Sequence, residues 1–78
     1  MLERKYTVIF EPDSGGGYIA RVPALPGCVT EGDTLEEASA MAKDAIEGYI
    51  ECLKERGLPV PEEKIKFKPV VKELAVLV

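Results

Sequence analysis

A chain of 78 residues fits one small domain, and its 46% hydrophobic and 31% charged residues are typical of a folded protein rather than a disordered one. The net charge of −4 argues against a nucleic-acid-binding surface, which needs clustered Lys and Arg. Without histidine and with two cysteines, one chain lacks the four ligands of a structural zinc site, and no segment approaches the roughly 20 apolar residues of a membrane span.

The composition also bears on the cell compartment. Asn and Gln are absent while Lys and Glu are abundant, a composition that resembles that of thermophile proteins. Glu3, Arg4 and Lys5 precede an alternating segment rather than an apolar run, so no secretory signal is expected. We therefore expect a cytoplasmic protein whose residues 1–78 form a single domain.

Three short strands are predicted in the first part of the chain. Arg4–Glu11 and Gly17–Val22 alternate between apolar and polar residues, and the Pro, Asp, Ser and glycines between them predict a hairpin. Pro23 cannot donate to a ladder and ends the second strand, while Cys28–Glu31 forms the third. Leu25–Cys28, "LPGC", suits a type II turn with Pro second and Gly third. The predicted sheet is an antiparallel meander.

A long helix is predicted from Leu35 to Arg56. Thr34 and Glu37 form a T-x-x-E capping box at its start, and Gly57 is placed to end it. Apolar residues at spacings of three and four form one stripe that should lie on the sheet. The stripe comprises Leu35, Ala38, Ala42, Ala45, Ile46, Tyr49, Ile50 and Leu53.

A second, smaller stripe lies beside the first on the predicted helix. It consists of Met41, Gly48 and Cys52, again at helical spacing. Two interpretations remain open: the stripe packs under the C-terminal segment, or it is a seam for another chain. It is the candidate partner interface.

The end of the chain, Val70–Val78, is rich in strand-forming residues and follows the interruption at Pro69. A strand this apolar should not remain an exposed edge. It is expected to pair within the sheet or with a second subunit. The predicted fold class is therefore α+β: a three-stranded antiparallel meander, one long helix packed on it, and a further C-terminal strand.

The residues that carry chemistry do not assemble a catalytic site. Cys28 has no histidine to act as its base, so we interpret it as a small buried structural residue. Glu11, Glu31 and Asp33 lie at predicted strand ends, but no spacing signature selects them for a metal. No catalytic residue, metal ligand or cofactor is predicted, and the chain is not expected to be an enzyme.

RNA binding is the alternative suggested by the layout, because a three-stranded sheet with a helix also occurs in double-stranded-RNA-binding domains. That activity needs basic residues aimed at phosphates. The predicted helix instead carries six acidic and three basic residues. A protein-binding module is therefore favoured over an RNA-binding one.

The ordered motifs from Tyr6 to about Pro61 resemble the HicB family of antitoxins. They are an aromatic first strand, Gly-Gly-Tyr opening the second, Pro-x-Leu-Pro-Gly-Cys, Gly-Asp-Thr-x-Glu-Glu-Ala, and an alanine-rich helix. The residues that carry these motifs are Gly16, Gly17, Tyr18, Pro23, Pro26, Gly27, Cys28, Gly32, Asp33, Thr34, Glu37 and Ala38.

The resemblance implies a partial RNase H-like β-β-β-α-β fold without a working RNase H site. It also implies a function: neutralising a HicA-type toxin, a small RNA-cleaving protein, by covering its active surface. Antitoxins of this family typically form homo-oligomers, so a dimer or tetramer is expected. An acidic antitoxin suits a basic toxin, because opposite fields speed their encounter.

One departure from the family pattern limits the expected partners. Many members carry a C-terminal helix-turn-helix or ribbon-helix-helix segment, whereas only about 20 residues follow the predicted helix and none forms a recognition helix. Direct DNA binding is therefore not expected. Membrane association is not expected either, because no segment is long and apolar enough to span a membrane. A solitary HicB-like oligomer with another partner remains an alternative.

Overall fold

The computed structural model describes residues 3–66 and 69–78 and contains three β-strands followed by one α-helix. The strands form an antiparallel sheet in the order β1-β2-β3. Their bounds are β1 Ile9–Pro12, β2 Tyr18–Arg21 and β3 Val29–Gly32, and the helix is α1 Leu35–Glu55. The predicted α+β class, meander and long helix are confirmed.

The sheet register assigns each residue to one face. Phe10 pairs with Ala20, which pairs with Thr30, and Ala20 is completely buried beneath the helix. The neighbouring row, Ile9 with Arg21 and Arg21 with Val29, therefore lies on the opposite face. The sheet thus has one face under α1 and one open face.

The first strand is shorter than predicted, because regular pairing begins at Ile9 rather than Arg4. Ile9 pairs with Arg21, the last residue of β2. Beyond it, Pro23 lacks an amide hydrogen and the chain turns away, so the residues before Ile9 have no partner strand on that side. The sequence predicts too long a first strand, because apolar and polar residues alternate from Arg4 onward, whereas hydrogen-bonded pairing with β2 begins only at Ile9.

The turn between β2 and β3 forms as predicted. The Cys28 amide donates to the Leu25 carbonyl at 3.0 Å, and Gly27 has φ +80°, as the third position of a type II turn requires. The Leu25 amide donates to the Val22 carbonyl at 3.0 Å in a second turn around Pro23. Two consecutive turns thereby point Leu25 into the core, where it is fully buried.

Both ends of α1 follow their sequence signals. The Glu37 amide donates to the Thr34 hydroxyl at 3.0 Å, which is half of the predicted capping box. At the other end, the Gly57 amide donates to the Lys54 carbonyl and the Leu58 amide to the Leu53 carbonyl. These are the two bonds of a Schellman motif, so the helix ends where Gly57 predicted.

The core lies between α1 and the β2–β3 half of the sheet. Ala38 and Ala42 are buried at the start of the helix, where small side chains allow close approach. Val22, Leu25 and Cys28 form the buried cluster, against which partly buried residues pack from the helix and from the segment before β1. Leu35 departs from the predicted stripe because it is 44% exposed at the helix start.

The predicted C-terminal strand is absent from the structure of the single chain. Residues 69–78 adopt no regular secondary structure, and all are exposed. In the described part of the chain no strand borders this segment, so its backbone has no ladder partner that would fix it as a strand. The prediction of a strand that pairs within the same chain is therefore not met here.

Candidate protein-binding surfaces

The family-motif residues are mainly structural. Tyr18, Gly32 and Thr34 lie where strand, turn and helix meet, and the Pro-x-Leu-Pro-Gly-Cys segment forms the double turn around Leu25. The Tyr49 hydroxyl donates to the Pro26 carbonyl at 2.8 Å, which fastens the turn to the helix. These residues hold the scaffold and leave its surfaces available for contact.

Cys28 has the environment of a structural residue. Its side chain is buried, and burial raises the pKa of its thiol above the ordinary value of 9.0. A raised pKa keeps the sulfur protonated at neutral pH, whereas a nucleophile requires the thiolate. Cys52, the other cysteine, is exposed, and both are free. The structure therefore gives Cys28 a packing role.

Other chemical sites can be assessed over residues 3–66 and 69–78. That part of the chain contains no group of three or more Cys, Asp or Glu residues arranged to hold a metal ion. Its one helix does not contain a stretch that is long and apolar enough to cross a membrane. What the described residues do present is uncovered surface on three sides.

The first surface is the open face of the sheet, made by side chains that point away from α1. It is defined by Ile9, Glu11, Ile19, Arg21, Val29 and Glu31. Val29 is 54% exposed and Ile9 36%, so apolar area faces solvent between charged groups. Arg21 forms an ion pair with Glu11 across β1 and β2. The register, which alternation alone could not fix, determines this face.

An acidic depression adjoins the open face at the start of the helix. Asp13, Glu31, Asp33 and Glu37 contribute carboxylates to its lining, and Gly32 forms part of its floor. No lysine or arginine lines it. The β1–β2 hairpin and the β3–α1 connection bring these acids together, although they are up to 24 residues apart in sequence, from 13 to 37. This end of the molecule presents a negative field.

The second surface is the helix flank that carries Met41, Gly48 and Cys52. Met41 is 46% exposed and Cys52 is exposed, and a Cβ atom added at Gly48 would meet no atom within 4 Å. The C-terminal segment does not cover this flank, because residues 69–78 are themselves exposed. The interpretation of the stripe as a seam for another chain stays a prediction.

The third surface, the β1 groove, is an apolar channel of about 720 Å³ between β1 and α1. Tyr6, Val8 and Phe10 line one wall, while Ile46 and Ile50 line the other. The groove exists because α1 packs mainly on β2 and β3, which leaves the β1 side of the helix uncovered. Sequence periodicity placed Ile46 and Ile50 in the helical stripe expected to lie on the sheet and gave no sign of an open channel.

A short connection after the helix contacts the residues that precede β1. The Tyr6 hydroxyl donates to the Pro61 carbonyl at 2.5 Å, and the Thr7 amide donates to the Glu63 carboxylate. Hydrogen bonding to Thr7 and to the amides of Lys64 and Ile65 holds the pKa of Glu63 below its ordinary value of 4.5, against an opposing effect of burial. The segment after α1 is therefore held beside the start of β1.

Acid should weaken this connection. A carboxylate whose folded-state pKa is lowered adds stability that is complete above its unfolded pKa and lost as pH falls through the folded value. Glu63→Gln should therefore destabilise the chain at neutral pH, and the difference from wild type should shrink below pH 4.5. Urea unfolding across this range measures it, with Glu62→Gln, an exposed neighbour, as control. A difference that is independent of pH would contradict the assignment.

Comparison with known proteins shows which family the chain belongs to. Residues 6–74 match the family described as "HicB_like antitoxin of bacterial toxin-antitoxin system". The chain belongs to the HicB-like antitoxin family. The match spans all three strands, the helix and the connection after it, so the resemblance of the motifs to this family is confirmed.

Relatives of this HicB-like chain include short and longer proteins. A UPF0150 protein of Thermoplasma acidophilum is 49% identical over 59 residues, covering 76% of this chain and 86% of that protein. A UPF0150 protein of Synechocystis is 48% identical over 65 residues, covering 83% and 82%. Antitoxin HicB 1 of Photorhabdus laumondii is 43% identical over 61 residues, covering 73% of this chain and 39% of its own length.

Proposed function

We propose that this chain is a protein-binding module that neutralises a HicA-type RNA-cleaving toxin by covering the toxin's active surface. The observation that carries the proposal is the open sheet face, on which Ile9 and Val29 are exposed beside acidic residues. Membership of a toxin–antitoxin family supports it, as does the relative from Photorhabdus named an antitoxin. Binding, not catalysis, is the proposed activity.

Electrostatics supports a basic partner. The chain carries 14 acidic and 10 basic residues, and four acids line one depression at the edge of the open face. Complementary potentials speed encounter and suppress wrong partners. A toxin that binds RNA must present a positive surface to phosphates. The proposed complex therefore covers the RNA-binding surface of the toxin with the acidic side of this chain.

The open sheet face is the preferred toxin surface because its rigid strands display apolar side chains between charges. Partly exposed apolar groups with a polar surround are typical of an interface centre and its rim. The flank with Met41, Gly48 and Cys52 remains the second candidate interface. At 100° per residue, its Gly48 lies about 160° around the helix from both Ile46 and Ile50 of the β1 groove.

Two matched variants distinguish the candidate surfaces. Val29→Lys places a positive charge on the open face, where Val29 is already half exposed, and Gly48→Glu places a side chain on the helix flank, which has space for it. We expect Val29→Lys to weaken binding to a purified HicA-type toxin roughly 10- to 100-fold, as for an interface centre. Gly48→Glu should leave that affinity unchanged.

Calorimetric titration of each folded variant with the purified partner gives the affinities. Loss of binding only in Gly48→Glu would move the toxin site to the helix flank. Unchanged binding in both variants would remove both candidate surfaces. Salt-dependent binding of this chain to RNA alone would instead favour the RNA-binding alternative.

The proposal has three further parts. The chain acts without catalysis or cofactor in the cytoplasm, where its two free cysteines would stay reduced. It works as a homo-oligomer. Its fold is the partial RNase H-like arrangement, in which a fourth strand after the helix joins the sheet; the connection from Pro61 and Glu63 to the start of β1 supports a strand arriving on that side.

A further inference from the structure

The outer edge of β3 offers backbone groups for pairing. The Val22 amide donates to the Cys28 carbonyl at 3.1 Å, and these two residues continue the β2–β3 register by one bonded pair. Bonded pairs alternate along an antiparallel ladder, so Thr30 directs its amide and carbonyl to β2. Val29 and Glu31 therefore direct theirs outward. Among residues 3–66 and 69–78, no strand pairs with that side of β3.

The two edges of the sheet differ in how they are protected. On the β1 side, Pro12 has no amide hydrogen to donate, and the segment around Pro61 and Glu63 contacts the residues before the strand. The third strand contains neither proline nor lysine, which natural sheets place on exposed edges to prevent pairing. The outer edge of β3 is therefore an open template for another strand.

The exposed helix flank lies on the same side of the molecule as this edge. α1 packs mainly on β2 and β3, and its Ile46 and Ile50 face the β1 groove. Gly48 is about 160° around the helix from both isoleucines. The flank that it forms with Met41 and Cys52 therefore points away from β1, beyond the outer edge of β3. An unpaired strand edge and an uncovered helix flank are thus adjacent.

A close contact gives the position of this flank along β3. A Cβ atom at Gly32 would lie 2.4 Å from the Ala38 amide nitrogen, and α1 runs back along β3 from there. Thr30 is two residues before Gly32, about 6.6 Å along the strand, which corresponds to about four residues of helix. Thr30 is therefore level with Ala42, and Met41 is the flank residue nearest to it.

A second copy of the chain can pair with this edge in one favourable register. Antiparallel pairing of two β3 strands about a two-fold axis at Thr30 places Val29 opposite Glu31 twice, which gives four main-chain hydrogen bonds. An axis at Glu31 would place two carboxylates directly opposite each other. An axis at Val29 would oppose Glu31 to Gly27, which lies in the turn with φ +80°. The axis at Thr30 avoids both faults.

The same axis brings the two helix flanks together. Both helices then lie antiparallel on one face of a continuous six-stranded sheet, with the two Met41 side chains near the axis. Met41 is 46% exposed in the single chain, so contact between the two methionines removes apolar area from water. A different protein would need a strand edge and an apolar helix flank at matching positions, whereas a second copy presents both by symmetry.

We propose that two copies of this chain pair through the outer edges of β3, with Thr30 and Met41 beside the two-fold axis. The side chains of Val29 and Glu31 stay on the open face, which the pairing continues across both copies. This inference rests on the proposed homo-oligomer and identifies its interface. It concerns the chain without any toxin, so the dimer can fail while toxin binding stands, and the reverse.

A disulfide tests the register. Thr30→Cys, in a Cys52→Ser background, places two cysteines across a non-hydrogen-bonded pair, where Cα atoms about 4.5 Å apart can be bridged. Mild oxidation should give a covalent dimer of about 17 kDa, twice the 8.5 kDa of one chain. Glu31→Cys in the same background is the control, because its two copies would be about 8 Å apart, too far to bridge. Equal cross-linking of the two variants, or none in Thr30→Cys, would overturn the proposal.

Light scattering without oxidant tests the dimer itself. The wild-type chain should have a mass of about 17 kDa, twice that of one chain. Met41→Glu should raise the dimer dissociation constant roughly 10-fold or more, because two like charges would meet near the axis. Ala40→Glu is the matched control, since Ala40 is exposed about 100° around the helix from Met41, and it should remain dimeric. A monomeric wild type, or a Met41→Glu variant that dimerises as tightly as Ala40→Glu, would contradict this interface.

Discussion

Gly32→Ala should destabilise the protein by about 2–3 kcal/mol, the upper part of the range for overpacking. A Cβ atom at Gly32 would lie 2.4 Å from the Ala38 amide nitrogen and 2.8 Å from its Cα. Both are backbone atoms of the first helical turns, so neither can move without shifting the helix from the sheet. The family motif therefore requires glycine here because the helix crosses β3 at contact distance.

Gly48→Ala is the matched control for this variant. The chemical change is identical, but a Cβ atom at Gly48 meets nothing within 4 Å. Alanine in an exposed helix interior should stabilise the protein by about 0.5–1 kcal/mol relative to glycine. Urea unfolding followed by the helical circular dichroism signal measures both effects. Equal shifts of the same sign in the two variants would show that close packing at β3 is not the cause.

Leu25→Ala should destabilise the chain by about 2–5 kcal/mol. Leu25 is the largest fully buried side chain, and it packs with Val22 and Cys28 between the sheet and the helix. A domain of 78 residues has a thin core, so the cavity removes a large part of the total stability. The Pro-x-Leu-Pro-Gly-Cys motif thus serves to deliver one leucine into the core.

Leu25→Met is the conservative companion to this substitution. It keeps the buried volume and should cost less than about 1.5 kcal/mol. Thermal unfolding of the two variants compares them, and Leu25→Met keeps the test informative if the alanine variant does not fold. A small loss of stability in Leu25→Ala, similar to that of Leu25→Met, would contradict the assignment of Leu25 as the core anchor.

The local elements of the fold could be predicted from the sequence, because each boundary is encoded by neighbouring residues. Thr34 and Gly57 mark the ends of the helix through hydrogen bonds within a few residues of each. The type II turn follows from Pro26 and Gly27 alone. The family resemblance depended on the same local motifs, and the match over residues 6–74 confirms it.

Features that depend on distant contacts could not be predicted in this way. The end of β1 pairing depends on where β2 stops, and the open face depends on the register between strands. The β1 groove depends on where α1 crosses the sheet, which helical periodicity does not encode. The apolar composition of Val70–Val78 predicted a strand, but a strand needs a partner, and among residues 3–66 and 69–78 no strand pairs with this segment.

These distant contacts are also the ones that define the proposed binding surfaces. The hairpin and the β3–α1 connection gather the acids Asp13, Glu31 and Asp33 from separated positions. The open face combines residues from three strands, so no continuous sequence motif predicts it. In this chain the sequence motifs encode the scaffold, while the surfaces proposed to bind partners arise from its assembly.

The most direct measurement of the proposed function is RNA cleavage by a purified HicA-type toxin in the presence of this chain. The purified protein is titrated with this chain, and cleavage of a defined RNA is followed at each ratio, with Val29→Lys as the binding-deficient comparison. Cleavage should fall to background once this chain supplies one binding site per toxin molecule. The Val29→Lys variant should need to be in large excess over the toxin to give the same inhibition. Cleavage that continues undiminished at excess wild-type chain would contradict the proposal that this chain neutralises the toxin.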